Sequence, residues 1–453
     1  MRDTVRFAKA RVHFIGIGGI GMCGLAELLY NMGVQVKGSD QSENQQTLHL
    51  REIGIKIQIG HHEDNLNDVD VAVYSSAVKT DNIEFRAAKK RGIPLIPRAE
   101  ALAEIMRLRR GVAIAGSHGK TTTTSMCATV FLHARLDPTI VVGGRLDLIK
   151  ATAKLGEGEW LIAEADESDG SFNRLSPEIA VITNIDDDHL DHFGSMKVLE
   201  NAFLEFASRI PFYGVAIVCG DDPRTRMVFK DFSKRLMTYG FEKSNDFHLE
   251  RLASKYKLFR GDELIGEFKL KIPGRHNALN ALAAIVIGFV AGIPFDKSLA
   301  GIETYEGVDR RFQRKATVHG IDYYDDYGHH PTEIKAVLSA FKEQFPERRL
   351  VVLFQPHRYS RTESCWNDFL TSFQSADIVF LLDIYAAGES PLSGITSKKL
   401  SSEIKHKNCE YLESGELAKE TLIKLLKNGD IFLTLGAGDV YKLGEELYLR
   451  AKK

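Results

Sequence analysis

Short, mostly apolar runs that end in glycine or acidic residues, separated by stretches of helical periodicity, recur along nearly the whole chain. Residues 12–15, 69–74, 112–115, 160–163, 179–183, 350–354, 378–382 and 431–435 are the candidate buried strands. Strands of this kind, alternating with helices, predict parallel α/β architecture. In open parallel sheets, ligands gather where strands end at their carboxyl termini, so the residues just after each run are the ones to examine. At 453 residues the chain exceeds one ordinary core, and the length suggests about three domains. A basic stretch at Arg107, Arg109 and Arg110 precedes a fresh strand, and a helical run over 277–291 ends before Gly307–Arg311. These breaks divide the chain into 1–106, 107–309 and 310–453.

Charge and composition remove several classes of function. Lys and Arg number 59 against 61 Asp and Glu, for a net charge of −2, so no overall basic field is available to hold a nucleic acid. Hydrophobic residues at 44% and charged residues at 26% are those of a folded globular chain. The most membrane-like stretch, 278–295, contains Asn280, Gly288, Gly292 and Pro294; it reads as a buried core helix, and no membrane insertion is expected. Five cysteines stand singly at 23, 127, 219, 365 and 409, a scatter expected of reduced thiols. Charged residues precede the first apolar run, with no secretory leader legible, and a cytoplasmic location is expected.

Two glycine clusters follow strands and open helices. The first, Gly16-Ile17-Gly18-Gly19-Ile20-Gly21, leads into a helical stretch over 22–32. Such a turn lets backbone N–H groups approach a diphosphate at the helix N-terminus. Asp40, after the next apolar run, stands where an acid bonds a ribose hydroxyl. NAD is the default occupant, but any nucleoside diphosphate satisfies the same physics. The second cluster, Gly116-Ser117-His118-Gly119-Lys120-Thr121-Thr122, is a shortened P-loop with Ile114 where a longer one has glycine. Its N–H groups would cradle ATP phosphates, Lys120 would place a point charge on the terminal ones, and Thr121 or Thr122 would ligate Mg²⁺. Thr121 to Thr124 form a run of poor helix formers, for which phosphate binding is a better explanation than packing.

Acidic residues crowd two further strand ends. One strand leads into Glu164-Ala165-Asp166-Glu167-Ser168-Asp169, the other into Asn184-Ile185-Asp186-Asp187-Asp188-His189-Leu190-Asp191-His192. Hard oxygen ligands beside a P-loop suit Mg²⁺, with a histidine as one further ligand. A two-metal hydrolase would also use such residues, but it has no need of Lys120 and the threonine run. His61-His62, in a polar loop after Gly60, is expected to be plain surface, and Gly436-Ala437-Gly438-Asp439 either approaches a ligand or makes a strand-to-helix turn.

The combination of Ala115 to Thr122, Glu164, Asn184 with Asp188-His189, and His276-Asn277 with Asn280 resembles the Mur ligases, ATP-dependent amide-forming enzymes of bacterial cell-wall assembly. Further matches are Gly16–Gly21, Asp325-Asp326-Tyr327-Gly328-His329-His330-Pro331 and Phe354-Gln355-Pro356-His357-Arg358-Tyr359-Ser360-Arg361-Thr362. The likeness spans essentially the whole chain, with Ser117 where the family usually has threonine. It implies a Rossmann-like N-terminal domain, a central P-loop α/β domain and a Rossmann-like C-terminal domain. It also implies small-molecule substrates: UDP-N-acetylmuramate, L-alanine and ATP, with two Mg²⁺ ions. A branch that attaches a tripeptide to the same sugar nucleotide is the alternative. By the resemblance, Gly16, Gly18, Gly19, Gly21, Asp40, Ser75 and Ser76 would hold the UDP-sugar. Gly116, Ser117, His118, Gly119, Lys120, Thr121 and Thr122 would hold ATP phosphates, and Asn277 and Asn280 its adenine. Thr121, Glu164 and His189 would ligate metal, Arg311 and Asp326 would reach ATP, and Tyr327, His357 and Arg358 would face the amino-acid and muramoyl end.

Overall fold

The computed structural model describes residues 9–75, 77–146, 151–168, 170–188 and 190–452. Two compact units result, one of residues 1–270 with 279–305, the other of 271–278 with 306–453.

The first unit holds two sheets. The smaller is wholly parallel, in the order Lys56–Ile59, Gln35–Asp40, Arg11–Ile15, Val71–Tyr74, Leu95–Pro97. Arg11–Ile15 pairs with strands that follow it on both sides, so the strand order reverses there, and the first glycine cluster leaves from that switch point. The larger sheet runs Glu263–Phe268, Lys255–Arg260, Phe247–Leu252, Leu236–Gly240, Val215–Cys219, Ile179–Ile182, Arg110–Ala115, Trp160–Glu164, Thr139–Leu146, Ala151–Lys154. Its middle is parallel and buried on both faces: every residue from Val112 to Ala115 and from Ile179 to Ile182 is inaccessible to solvent. Arg110–Ala115 lies between Ile179–Ile182 and Trp160–Glu164, so the second glycine cluster leaves the sheet between the two acidic strand ends.

Antiparallel pairs close both ends of that sheet, through Phe247–Leu252, Lys255–Arg260 and Glu263–Phe268 on one side and Thr139–Leu146 with Ala151–Lys154 on the other. The sequence reading contains neither. Charged residues interrupt the first group every second or third position, and edge strands with one wet face lack the continuous apolar run that marks buried ones. The apolar stretch after Asn277 forms the helix Arg275–Val290, with residues 281–287 fully buried. No helix among the described residues is long and apolar enough to cross a membrane. All five cysteines are free thiols.

The second unit carries one sheet, in the order Gln313–Val318, Ile321–Asp326, Ile431–Leu435, Leu350–Phe354, Ile378–Leu381, Cys409–Tyr411, parallel except for the first pair. Gly436 to Asp439 connect Ile431–Leu435 to the helix Val440–Ala451, the strand-to-helix turn foreseen as one option.

Candidate functional site

The first glycine turn is bound to its neighbours before any ligand arrives. The N–H groups of Gly16 and Ile17 donate to the Ser39 carbonyl at 2.9 and 3.0 Å. The Gly18 N–H donates to the Asp40 carboxylate at 2.8 Å, so Asp40 braces the turn as well as standing at the end of its strand. A Cβ on Gly19 would meet nothing nearer than 3.6 Å, and Ser75 Cβ lies 3.7 Å from the Cβ position of Gly16. Ser76 lies outside the described residues. A Cβ on Gly21 would come within 2.7 Å of the Arg98 Nη1; glycine at 21 is what lets that guanidinium lie over the start of the helix Ile20–Asn31. Arg98 also comes to 3.8 Å from the Asp166 carboxylate, joining the first glycine turn to the acidic strand end of the larger sheet. The sequence reading missed Arg98. Its signal was a cation immediately after the strand Leu95–Pro97.

His61 is a correction. Its ring is largely buried, with Nδ1 3.1 Å from the Ser39 hydroxyl and 3.5 Å from the Glu84 carboxylate. Glu84, fully buried, accepts from Ser39 Oγ at 2.6 Å, lies 3.0 Å from His13 Nε2 and takes Asn65 Nδ2 at 2.5 Å and the His62 N–H at 3.1 Å. Burial pushes its carboxyl up, yet the bonds from His13, Ser39 and Asn65 hold it down at about 2. The expectation of plain surface failed because a polar loop gives no sign of a buried carboxylate beneath it; His62 itself is exposed.

The second turn is more tightly organised. Gly119 sits at φ +81°, and a Cβ there would lie 2.7 Å from Asn280 Oδ1. Lys120 Nζ donates to the Gly116 and Ser117 carbonyls at 2.7 and 3.1 Å and to Glu167 at 2.8 Å. Burial alone would lower the lysine's pKa, but Glu167, Asp166 and Glu164 together raise it, so the ammonium is retained. Desolvation pushes Glu167 up to about 7 against the pull of Lys120. Thr121 Oγ1 donates to both Glu164 oxygens, at 3.1 and 3.0 Å, bringing together two of the three expected metal ligands. His189 lies outside the described residues.

The strand end at 184–188 braces the loop. Asn184 accepts from the His118 N–H at 2.9 Å and donates to its carbonyl at 3.0 Å. Ser117 Oγ accepts from the Asp186 N–H at 2.8 Å, and the His118 ring lies 3.1 Å from the Asp186 carboxylate. The threonine run is a second correction. Thr122, Thr123 and Thr124 are buried; Thr123 Oγ1 donates to Asn280 at 3.1 Å and Thr124 Oγ1 to the Lys120 carbonyl at 2.8 Å. Burial thus explains Thr123, bonded to the helix Arg275–Val290, and Thr124, bonded within its own helix, both of which the sequence reading gave to phosphate.

In the second unit, two aspartate oxygens shape a turn. Asp326, fully buried, accepts from the Phe312 N–H and the Gly328 N–H, both at 2.7 Å. Burial pushes its carboxyl up to about 6, with Arg311 pulling the other way. Arg311 bonds Glu333 at 3.2 Å, and the half-buried His276, pushed down to about 4 by desolvation and then by Arg311, stays neutral. Asn277 donates to the Pro273 carbonyl at 2.7 Å. The Tyr327 ring lies under the Arg310 and Arg311 guanidinium groups, at 5.1 and 5.3 Å. An aromatic chain continues from Tyr327 to His329 at 5.5 Å, His357 at 5.8 Å and Tyr385 at 5.5 Å. Tyr327, Arg311 and His357 are therefore brought together; Arg358 follows His357 with an exposed side chain. Burial, then Arg361 and Arg358, push His357 down to about 4, which leaves its imidazole neutral at pH 7 and a weak base. Arg310, which the sequence reading passed over, donates to the Gly436 and Gly438 carbonyls at 2.6 and 3.2 Å and so anchors the Gly436–Asp439 turn.

Residues 11–110 match the Mur ligase family catalytic domain, 114–288 the Mur ligase middle domain and 310–438 the Mur ligase glutamate ligase domain. The chain is 58% identical over 449 residues to a UDP-N-acetylmuramate–L-alanine ligase from Bdellovibrio bacteriovorus, covering 98% of this chain and 99% of that protein. It is 48% identical to one from Trichlorobacter lovleyi, covering 97% and 98%. A crystal structure of a UDP-N-acetylmuramate–alanine ligase from Thermotoga maritima superposes with a TM-score of 0.80 at 30% identity, covering 98% and 99%.

Proposed function

The chain belongs to the Mur ligase family, and from that premise we propose that it joins L-alanine to the muramoyl carboxylate of UDP-N-acetylmuramate at the expense of ATP, in the synthesis of peptidoglycan precursors. The observation that carries this reading is the turn Gly116 to Thr121, where an ammonium and a hydroxyl meet two carboxylates, Glu167 and Glu164, at the end of a buried sheet. The substrates follow from the relatives that share this chain's full length.

A carboxylate is a poor electrophile, because an amine cannot expel oxide. Phosphorylation solves this: the muramoyl carboxylate attacks the γ-phosphate and ADP departs; the alanine amine then attacks the acyl carbon, the amide C–N bond forms as the C–O bond to phosphate breaks, and inorganic phosphate leaves while the amine gives up a proton to phosphate or water. The first step presses an anion against a polyanion. Each pair of unit charges at 4 Å opposes it by about 1 kcal/mol in water and about 4 kcal/mol at an effective dielectric of 20. Lys120, held as an ammonium by three carboxylates, offsets part of that, so positioning and electrostatics carry the catalysis. Thr121 and Glu164 are hard oxygen donors already 3.0 Å apart, a set that suits Mg²⁺; with His189 they would hold two such ions. Bound Mg²⁺ would supply further neutralising charge on phosphate oxygens.

The remaining assignments extend the same reading. Gly16, Gly18, Gly19, Gly21, Asp40, Ser75 and Ser76 hold the UDP-sugar; Gly116, Ser117, His118, Gly119 and Thr122 line the ATP phosphates; Asn277 and Asn280 meet adenine. Arg311 and Asp326 reach ATP, and Tyr327, His357 and Arg358 face the amino-acid and muramoyl end. The partition is 1–106 for UDP-sugar, 107–309 for ATP and 310–453 for the amino acid, and the reaction belongs in the cytoplasm, where its nucleotides are.

Phosphate release from ATP with UDP-N-acetylmuramate tests the proposal. L-alanine is expected to drive it faster than glycine, L-serine or the tripeptide, and Lys120→Ala to lower the rate by at least about 10²-fold, the scale on which single electrostatic donors act. Faster turnover with the tripeptide would move the chain to the recycling branch; near-normal turnover in Lys120→Ala would remove the loop from the mechanism.

A further inference from the structure

Arg358 occupies a backbone conformation that side chains avoid. At φ +69° and ψ 141° it lies near a region populated almost only by glycine, yet its side chain is exposed and makes no ion pair among the described residues of its unit. Packing therefore does not require an arginine there. An outlier held against its own preference must be over-determined by its surroundings, and the surroundings are visible. The Arg358 N–H donates to the Tyr385 carbonyl at 2.8 Å, and its carbonyl accepts from the Thr362 N–H at 3.2 Å and from the buried Thr362 hydroxyl at 2.7 Å. Two residues further on, Glu389 accepts from the Ser360 N–H at 3.0 Å and from its hydroxyl at 2.7 Å. Tyr385 and Glu389 belong to one short segment, tied back by the Tyr385 N–H on the Pro356 carbonyl at 2.8 Å and the Glu389 N–H on the Ala386 carbonyl at 2.9 Å.

We infer that Glu389 is a positioning residue: by gripping Ser360 it holds the strained turn that presents the Arg358 guanidinium to an anionic substrate group. The inference rests on the reading that Arg358 serves the amino-acid and muramoyl end, and it adds what makes that presentation possible. Burial pushes the Glu389 carboxyl up, but the Ser360 and Tyr359 bonds, and then the nearby Arg358 charge, hold it below its ordinary value, so it grips as a carboxylate near neutral pH and also attracts the Arg358 guanidinium. Without it, Arg358 relaxes toward an ordinary conformation and its guanidinium leaves the position the strain provides.

Steady-state kinetics of the full-length enzyme test this through a double-mutant cycle. Arg358→Ala is expected to raise KM for L-alanine or for UDP-N-acetylmuramate by about tenfold or more. Glu389→Ala should raise KM for that same substrate by at least about threefold, leave KM for ATP unchanged, and add nothing in the Arg358→Ala background. Glu389→Gln, which keeps an oxygen for the Ser360 N–H, should recover most of the loss. A Glu389→Ala enzyme that loses thermal stability without that KM rise, or whose effect multiplies with that of Arg358→Ala, overturns the positioning role. Should Glu389→Ala not fold, Ser360→Ala, which removes only the hydroxyl bond, must show a smaller rise in the same KM, and its absence overturns the role equally. If Arg358→Ala alters neither KM, the assignment of Arg358 itself falls.

Discussion

Arg98 illustrates how one side chain can serve two loops. Its guanidinium lies against Gly21 on one side and near Asp166 on the other, so it offers a fixed cation where a sugar-nucleotide anion would enter. Arg98→Ala is expected to raise KM for UDP-N-acetylmuramate by about tenfold, equivalent to about 1.4 kcal/mol, with KM for ATP unchanged; an equal rise in both would reduce Arg98 to general support. Glu84 makes a different prediction, in stability. Its carboxyl titrates at about 2 in the fold against 4.5 in the free side chain. Above pH 4.5 it is ionised in both states and its contribution is fully present; as pH falls from 4.5 toward 2 the unfolded chain takes up the proton first, and up to about 3 kcal/mol is lost. Urea unfolding should show Glu84→Gln less stable than wild type at pH 6, with the gap reduced to about half or less at pH 3 and closing near pH 2. A gap independent of pH would contradict the assignment.

At the level of elements, the helix Arg275–Val290 shows why composition had to be read with its interruptions. An apolar stretch holding Asn280 fits a core rather than a bilayer, and the structure buries 281–287 completely while Asn280 accepts from the Thr123 hydroxyl. Ile285 is inaccessible to solvent, so Ile285→Ala should cost about 2–5 kcal/mol, measured by denaturant midpoint, whereas a loss below about 0.5 kcal/mol would mean a loose core. Both glycine turns were legible because strand, turn and helix are consecutive in sequence, and their spacing alone states the geometry. The antiparallel edges were not, since their register depends on neighbours that local pattern does not name.

Across the whole molecule, a net charge of −2 coexists with a function whose two nucleotide substrates are anions. Local groups resolve this: Lys120, Arg98, Arg311 and Arg358 sit where ligands are expected, and no long-range field steers them. Raising ionic strength from 0.05 to 0.2 M should therefore change kcat/KM by less than about threefold; a drop of tenfold or more would indicate steering. The sequence by itself determined the parallel α/β class, both glycine turns, the acidic strand ends and the family, because each is written in contiguous residues whose chemistry needs no partner. Tertiary structure alone decided that Thr123 and Thr124 are core, that His61 lies over a buried Glu84, that Asp40 and Asp326 brace turns, and that Arg98 reaches Gly21. The longest of these links joins residues 157 positions apart, and a hydrogen bond or a close contact is set by distance in space, which burial and sheet order create and a linear pattern does not contain.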